Sequence, residues 1–212
     1  MAGHYILKLN NKCNMNCLFC ADSSIIRQQP DLKSEYILKS LSEKRKRFNS
    51  LIITGGEPTI YNNLLNVLKY AKFKLKYNKI CLVTNGILLS YGKFLDNLIN
   101  SGVDSFQISY SSLNEKKHNI LSRTPNTFNH INKGIKNVIK RNKEVRINLV
   151  INKSNYRDLP NIVEHLIKLK ISSITLAFMN PMGESVKNGK STLAIQFTLV
   201  LPHIKRSFVV AD

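Results

Sequence analysis

The chain has 212 residues, of which 43% are hydrophobic, and this is enough for one sizeable core and favours a single domain. No apolar run is long enough to cross a bilayer, and the N-terminal segment MAGHYILKLNNK lacks the apolar region and cleavage site of a signal peptide, so we expect a cytoplasmic protein without a membrane partner. The formal net charge of +19 raises the question of a polyanionic partner such as RNA, but the cations are dispersed and no aromatic–basic interleaving marks a base-stacking platform, so nucleic acid is not the favoured partner.

Short β-branched runs alternate with helical patterns along the whole chain. Apolar residues recur at helical spacing in the stretches 64–71, 94–99, 131–139 and 159–167, and Gly102 follows the second stretch where a left-handed cap belongs. The tail from about Leu193 to Ala211 predicts a last helix, which Pro202 kinks or interrupts. The predicted strands are Tyr5–Leu9, Leu51–Thr54, Ile80–Thr84, Ser105–Tyr110, Val145–Ile151 and Ser173–Met179.

This alternation indicates parallel strands joined by right-handed crossovers, in either an open doubly wound sheet or a partial barrel. Strand parity favours the barrel. Gln107 and Ser109 share one face of the fourth strand, and Arg146 and Asn148 share one face of the fifth. Polar residues on one strand face suit a ligand-filled interior, so we predict an α/β fold with a partial (β/α)6 TIM-like barrel and consider Arg146 and Asn148 as substrate contacts.

The sequence contains no linker or repeat that would mark a second domain. We therefore expect one domain over 1–212, with a core at about 5–183 and a helical tail at about 193–212. The tail ends on a helix-like run, which leaves open whether the natural chain continues past Asp212.

Three cysteines, Cys13, Cys17 and Cys20, lie in the loop that follows the first predicted strand, in the segment KCNMNCLFC. In a reducing compartment, clustered cysteines are ligands or catalysts more often than disulfides. A structural zinc site typically takes four ligands in two separated pairs, whereas the remaining cysteine, Cys81, lies within a predicted strand and is interpreted as a small buried hydrophobe. Three thiolates would leave one iron of a four-iron cluster open, so the spacing predicts an iron–sulfur site with room for a ligand.

A second motif, TGGEPT at residues 54–59, directly follows the second predicted strand. With these two motifs the chain resembles the radical S-adenosylmethionine (SAM) superfamily: CNMNCLFC matches its C-x3-C-x-aromatic-C signature, with Phe19 in the aromatic place, and TGGEPT matches its GGE motif. The segments LVTNG, QISYSS, INLVINKSNYRDL and LAFMNPMG resemble its later strands. The nearest branch contains molybdenum-cofactor, quinone-cofactor and peptide-modifying enzymes.

The resemblance implies an oxygen-sensitive enzyme with a [4Fe–4S] cluster on Cys13, Cys17 and Cys20 and SAM on its open iron. An electron donor such as flavodoxin or ferredoxin reduces the cluster, SAM is cleaved, and the 5′-deoxyadenosyl radical takes a hydrogen atom from an unidentified peptide, metabolite or cofactor precursor. No catalytic side chain is identified. The implied cofactor-binding residues are Phe19, Gly55, Gly56, Glu57, Thr84, Asn85, Ser109, Arg123 and Met179.

Most of these residues have a physical rationale beside a plainer alternative, which for GGEP is an ordinary turn. The two glycines let the backbone pass close to a ligand, and the carboxylate of Glu57 accepts a hydrogen bond from the SAM ammonium. Ser109 suits the ribose or carboxylate of SAM, whereas for Arg123 an ordinary loop cation is the favoured alternative to a carboxylate clamp. Phe19 and Met179 suit the adenine ring or simply the core.

Two other classes of function stay open at this point. The charge motivates an RNA-modifying radical SAM enzyme, whose RNA binding would fall steeply with salt. A non-catalytic metal-binding protein would keep the cysteines without turnover, although the intact GGEP argues against it. The chain has no further C-terminal cysteines, so we do not expect a peptide-modifying enzyme with auxiliary clusters.

Overall fold

The computed structural model describes residues 3–22, 28–186 and 193–211. Its strands form one six-stranded sheet in the sequential order β1 to β6. The pairs β1–β2, β2–β3, β3–β4 and β5–β6 are parallel. This is the strand order of a (β/α)6 half-barrel, so the predicted α/β fold class is confirmed. The strands are β1 (His4–Lys8), β2 (Ser50–Thr54), β3 (Lys79–Thr84), β4 (Ser105–Tyr110), β5 (Glu144–Ile151) and β6 (Ser173–Phe178).

The helices form where apolar residues recur at helical spacing and where their ends are capped. At the start of the helix Glu115–Ser122, for example, the Asn114 side chain accepts a hydrogen bond from the Lys117 N–H at 3.0 Å. Gly102 has a φ of +107° after the helix Gly92–Asn100, as predicted for the left-handed cap. The helices are α1 (Ser34–Arg45), α2 (Leu64–Lys69), α3 (Gly92–Asn100), α4 (Glu115–Ser122), α5 (Thr127–Lys140), α6 (Leu159–Lys168) and α7 (Phe197–Ala211), and a π-helical turn at Tyr70–Lys74 extends α2.

The last helix differs from its prediction. It begins at Phe197 rather than near Leu193, and it continues through Pro202 as one helix, so of the two expected effects of Pro202 the interruption is wrong. Proline removes one backbone hydrogen bond from a helix. Helix α7 packs along α6. The final residue of the predicted tail, Asp212, lies outside the described residues.

The contacts divide the chain into two compact units. The first comprises Met1–Asn14, Ile25–Ile108 and His130–Val145, and its core includes fully buried Leu51, Ile53 and Leu82. The second comprises Met15–Ser24, Ser109–Asn129 and Arg146–Asp212.

In β5, buried positions alternate with half-buried ones, and Arg146 and Asn148 lie on the half-buried face as the parity argument predicted. Of the helices that the structure describes, none has both the length and the apolar content needed to cross a bilayer.

Candidate functional site

The GGEP turn holds the start of the cysteine loop through backbone hydrogen bonds. β1 and β2 are in parallel register, with Lys8 opposite Thr54, so the loop after β1 and the turn after β2 emerge side by side. The Gly56 N–H donates to the Asn10 carbonyl at 2.9 Å, and the Glu57 N–H donates to the Lys12 carbonyl at 2.8 Å. Because Lys12 directly precedes Cys13, the turn fixes the backbone at the first cysteine.

The two glycines of this turn are required by the same loop. A Cβ on Gly55 would lie 2.1 Å from Asn10 Oδ1. A Cβ on Gly56 would lie 2.3 Å from the Lys12 carbonyl oxygen and 2.5 Å from that of Asn11. We expected these glycines to admit a ligand, and within this unit the group they admit is the cysteine loop itself.

The Glu57 side chain is 1% exposed and is surrounded by donors from its own chain. Its Oε1 accepts from the Thr59 N–H at 3.0 Å, from the Thr59 hydroxyl and from the Thr84 hydroxyl at 2.7 Å, and its Oε2 accepts from the Asn85 N–H at 2.7 Å. Burial raises the pKa of this carboxyl group, although the hydrogen bonds from Asn85, Thr59 and Thr84 oppose that rise. The carboxylate therefore joins the ends of β2 and β3, a role that the motif did not predict.

Two asparagines lie beside the GGEP turn in the first unit. Asn85, at the end of β3, donates through Nδ2 to Oδ1 of Asn14 at 2.7 Å, so a predicted cofactor contact is tied to the cysteine motif. Asn10 donates through Nδ2 to the carbonyls of Glu57 at 3.0 Å and Lys12 at 3.2 Å. Those two bonds fix the orientation of the amide, and its buried Oδ1 has no hydrogen-bond partner among the residues described.

We did not single out Asn10 from the sequence. A lone asparagine in an Asn-rich chain carries no signal by itself, but its position two residues after β1 would have placed it beside the turn once β1 and β2 were paired.

The rest of the cysteine motif belongs to the second unit, where the end of α4 holds it. The Leu18 N–H donates to the Leu121 carbonyl at 2.8 Å, and the Asn16 N–H donates to the Ser122 carbonyl at 3.3 Å. These carbonyls belong to the last turn of α4, where a helix has no further N–H groups of its own to donate to them. The cysteine loop therefore caps this helix while the helix fixes the loop.

Four other predicted residues lie in the second unit with different surroundings. Phe19 packs against a hydrophobic cluster that contains Met179 and Leu121, so the structure brings Phe19 and Met179 together. Arg123 follows α4 with a φ of +48°, and its Nη1 lies 3.6 Å from Oε2 of Glu184. Ser109 is half-buried on β4.

The four cysteines are thiols rather than disulfides. Cys81 is buried in β3, as its interpretation as a hydrophobe requires, whereas Cys13, Cys17 and Cys20 are half-buried. Within the described ranges, no group of three His, Cys, Asp or Glu side chains is arranged to hold a single metal ion. In an iron–sulfur cluster the thiolates bind different iron atoms, so three half-buried thiols suit the donor chemistry of a cluster.

The sequence is also similar to curated proteins. It is 28% identical over 190 residues to a GTP 3′,8-cyclase of Clostridium perfringens (strain 13 / Type A), and the match covers 85% of this chain and 56% of the relative. It is 25% identical over 181 residues to a probable GTP 3′,8-cyclase of Methanopyrus kandleri, covering 84% of this chain and 56% of the relative. The chain thus spans about half the length of the curated relatives it matches.

Solved structures share the fold. Streptococcus suis SuiB bound to S-adenosylmethionine superposes with a TM-score of 0.77 at 20% identity, over 99% of this chain and 48% of SuiB. Native anSMEcpe with bound AdoMet gives a TM-score of 0.74 at 18% identity, over 97% of this chain and 59% of that protein. The family model of the Radical SAM superfamily matches residues 7–166, which is most of the chain, and the chain therefore belongs to the radical SAM superfamily.

Proposed function

We propose that Cys13, Cys17 and Cys20 hold a [4Fe–4S] cluster and that this chain binds SAM beside the GGEP turn. When bound, the cluster and SAM together supply a 5′-deoxyadenosyl radical by one-electron reductive cleavage. The observation that supports this most directly is the bond from the Glu57 N–H to the Lys12 carbonyl, at 2.8 Å. It ties the GGEP turn to the residue before Cys13, so the two family motifs meet at one point of the first unit.

In this site, side chains and backbone groups of the protein bind and orient the ligands. The unpartnered Oδ1 of Asn10 is a buried acceptor beside Gly55, and a buried acceptor without a donor among the described residues favours a ligand that brings an N–H. We propose that it accepts a hydrogen bond from the SAM ammonium. Glu57, whose oxygens accept from Thr59, Thr84 and Asn85, then acts by positioning the turn rather than by touching SAM.

We also propose that several further residues bind SAM or the substrate. Ser109 and Arg123 are proposed for the polar groups of SAM, because they lie in the same unit as the later part of the cysteine motif. Phe19 and Met179 are proposed for its adenine ring, because they pack in one hydrophobic cluster of that unit. Arg146 and Asn148, on the half-buried face of β5, are proposed to contact the substrate.

For the substrate, we propose a cofactor precursor of the nucleotide class. The curated relatives at 25–28% identity are named GTP 3′,8-cyclases, and this chain covers 56% of their length. GTP is therefore the first compound to test. The peptide-bound structural neighbours are below 25% identity and support only the fold.

The central test is anaerobic reconstitution of the chain with iron and sulfide, followed by reduction in the presence of SAM and measurement of 5′-deoxyadenosine. We expect a brown protein that binds about four irons per chain and releases 5′-deoxyadenosine. Cys17→Ala should lose both the colour and the product, whereas Cys81→Ala, which removes a buried thiol outside the motif, should keep both. Stoichiometric zinc without SAM cleavage would overturn the proposal.

The substrate class needs a separate measurement. If the substrate is GTP, adding it should raise the rate of 5′-deoxyadenosine formation and should yield a new nucleotide product. A wild-type protein that cleaves SAM at the same rate with and without GTP would overturn the substrate proposal while leaving the SAM chemistry intact.

A further inference from the structure

A second Gly–Glu dipeptide contacts the cysteine loop, in the turn that follows β6. The Glu184 N–H donates to the carbonyl of Cys20 at 3.0 Å. Gly183 has a φ of +59°, and a Cβ at this position would lie 2.2 Å from the carbonyl oxygen of Ala21. Both contacts lie within the second unit.

The GGEP turn makes similar contacts in the first unit. There, a Cβ on Gly56 would lie 2.3 Å from the Lys12 carbonyl oxygen, and the Glu57 N–H donates to that carbonyl at 2.8 Å. In each case the glycine packs closely against a backbone carbonyl and the following glutamate donates its backbone N–H. Gly56 and Glu57 meet the same carbonyl, that of Lys12, whereas Gly183 meets the Ala21 carbonyl and Glu184 donates to that of Cys20. The carbonyls that accept these N–H groups belong to Lys12, which precedes the first cysteine, and to Cys20, which is the third.

The turn at residues 183–185 is itself well supported. The Ser185 side chain is 6% exposed, and its hydroxyl lies 2.8 Å from the Asn180 carbonyl and 2.7 Å from the Met182 carbonyl. On the other flank of the loop, the carbonyls of Leu121 and Ser122 accept from Leu18 and Asn16. The segment that carries Cys17 and Cys20 is therefore held both by the end of α4 and by this turn.

We infer that the Gly183–Glu184 turn is a second anchor of the cysteine loop, which positions Cys20 as the GGEP turn positions Cys13. This inference rests on the proposed function, because it holds that these residues position a cysteine that binds the cluster. Gly183 and the backbone N–H of Glu184 are positioning groups, and neither contacts a reacting atom.

The backbone N–H of Glu184 forms the anchor, whereas its side chain does not take part in it. Glu184→Gln keeps the N–H and should preserve the anchor. Glu184→Pro removes that N–H and should weaken it. Gly183→Ala places a methyl group against the Ala21 carbonyl in a backbone conformation that disfavours a side chain, and should displace the loop. Gly92→Ala is the matched control, because its new Cβ meets only the end of the Arg141 side chain at 3.0 Å.

The first measurement uses the metal-free protein and needs no activity. The rate of alkylation by iodoacetamide is followed for each cysteine by mass spectrometry, with buried Cys81 as the internal reference. In Gly183→Ala and Glu184→Pro, we expect Cys20 to react at least about fivefold faster than in the wild type, which corresponds to the loss of one hydrogen bond. Cys13 and Cys81, which lie in the first unit, should keep their rates, as should all cysteines of Glu184→Gln and Gly92→Ala.

The second measurement is the iron content after reconstitution, which should fall in the same two variants and not in the controls. Wild-type alkylation rates and iron content in both Gly183→Ala and Glu184→Pro would overturn the inference. Equal acceleration at Cys81 would do so too, because it would show general unfolding rather than release of an anchor. Failure of the proposed function looks different: the wild type itself would load no cluster, while the alkylation pattern would still report on the anchor.

Discussion

The two Gly–Glu turns make similar backbone contacts with the cysteine segment but use their carboxylates differently. The Glu57 carboxylate is 1% exposed and accepts hydrogen bonds from Thr59, Thr84 and Asn85. The Glu184 side chain is 11% exposed and forms an ion pair at 3.6 Å with Arg123, whose side chain is 31% exposed. Both turns therefore contact the cysteine segment through a glycine and the backbone N–H of the residue after it. They differ in the carboxylate, which is buried in a hydrogen-bond network in the first unit and forms a partly exposed ion pair in the second.

The largest effect should come from removing the buried carboxylate. Glu57→Ala leaves the N–H groups of Asn85 and Thr59 buried without acceptors and opens a cavity, so the free energy of unfolding should fall by about 3–5 kcal/mol. Urea denaturation measures this change. The control is Glu43→Ala, at an exposed position of α1, which should change it by less than about 0.5 kcal/mol. A loss for Glu57→Ala no greater than for the control would contradict the internal role of Glu57.

A smaller loss is expected when a methyl group is added to the first turn. Gly56→Ala brings its Cβ against two backbone carbonyls, which cannot move aside as a flexible side chain can, and weakens the bond from Glu57 to Lys12. The free energy of unfolding should fall by about 2–3 kcal/mol. Thermal and urea unfolding of the metal-free protein would test this, and a variant as stable as the wild type would mean that the cysteine loop is not packed on the turn.

Sequence reasoning located the first turn but not the second, for a physical reason. GGEP follows an apolar strand and is recognisable as a string of residues, and strand pattern and parity likewise predicted the six strands and the half-buried face of β5. Gly183 has a positive φ, and it packs against the carbonyl of Ala21, which lies about 160 residues away in the chain. Neither property can be predicted from the residues around Gly183. The hydrogen-bond network around Glu57 could not be predicted for the same reason, since the sequence does not distinguish a buried glutamate from one that faces a ligand.

The pH dependence of stability should report on the buried carboxyl group of Glu57. Burial raises the pKa of Glu57 above its ordinary value of 4.5, so the folded state holds this proton more tightly than the unfolded state. The stabilisation from the protonated group is therefore complete below pH 4.5 and is lost as the pH rises through the folded-state pKa.

Relative to Glu57→Gln, which cannot titrate at this position, the wild type should lose unfolding free energy above pH 4.5 by at most about 1.4 kcal/mol per pH unit. Urea titrations at a series of pH values measure the difference. A wild type that gains stability relative to Glu57→Gln over this range would show that the hydrogen bonds from Asn85, Thr59 and Thr84 outweigh burial and lower the pKa instead.

The smallest effect on stability is expected from the second carboxylate. The Arg123–Glu184 pair is partly exposed and its charged atoms are 3.6 Å apart, so Glu184→Gln should change the free energy of unfolding by less than about 1 kcal/mol. The reason is that solvent screens the pair and both side chains lose rotamer freedom in forming it. Urea denaturation at low and high salt measures the contribution, which salt should reduce further. Glu184→Gln could instead destabilise the protein as much as Glu57→Ala. In that case the Arg123–Glu184 ion pair would stabilise the second unit as strongly as the buried Glu57 network stabilises the first. The two turns would then differ only in the residues that their carboxylates contact.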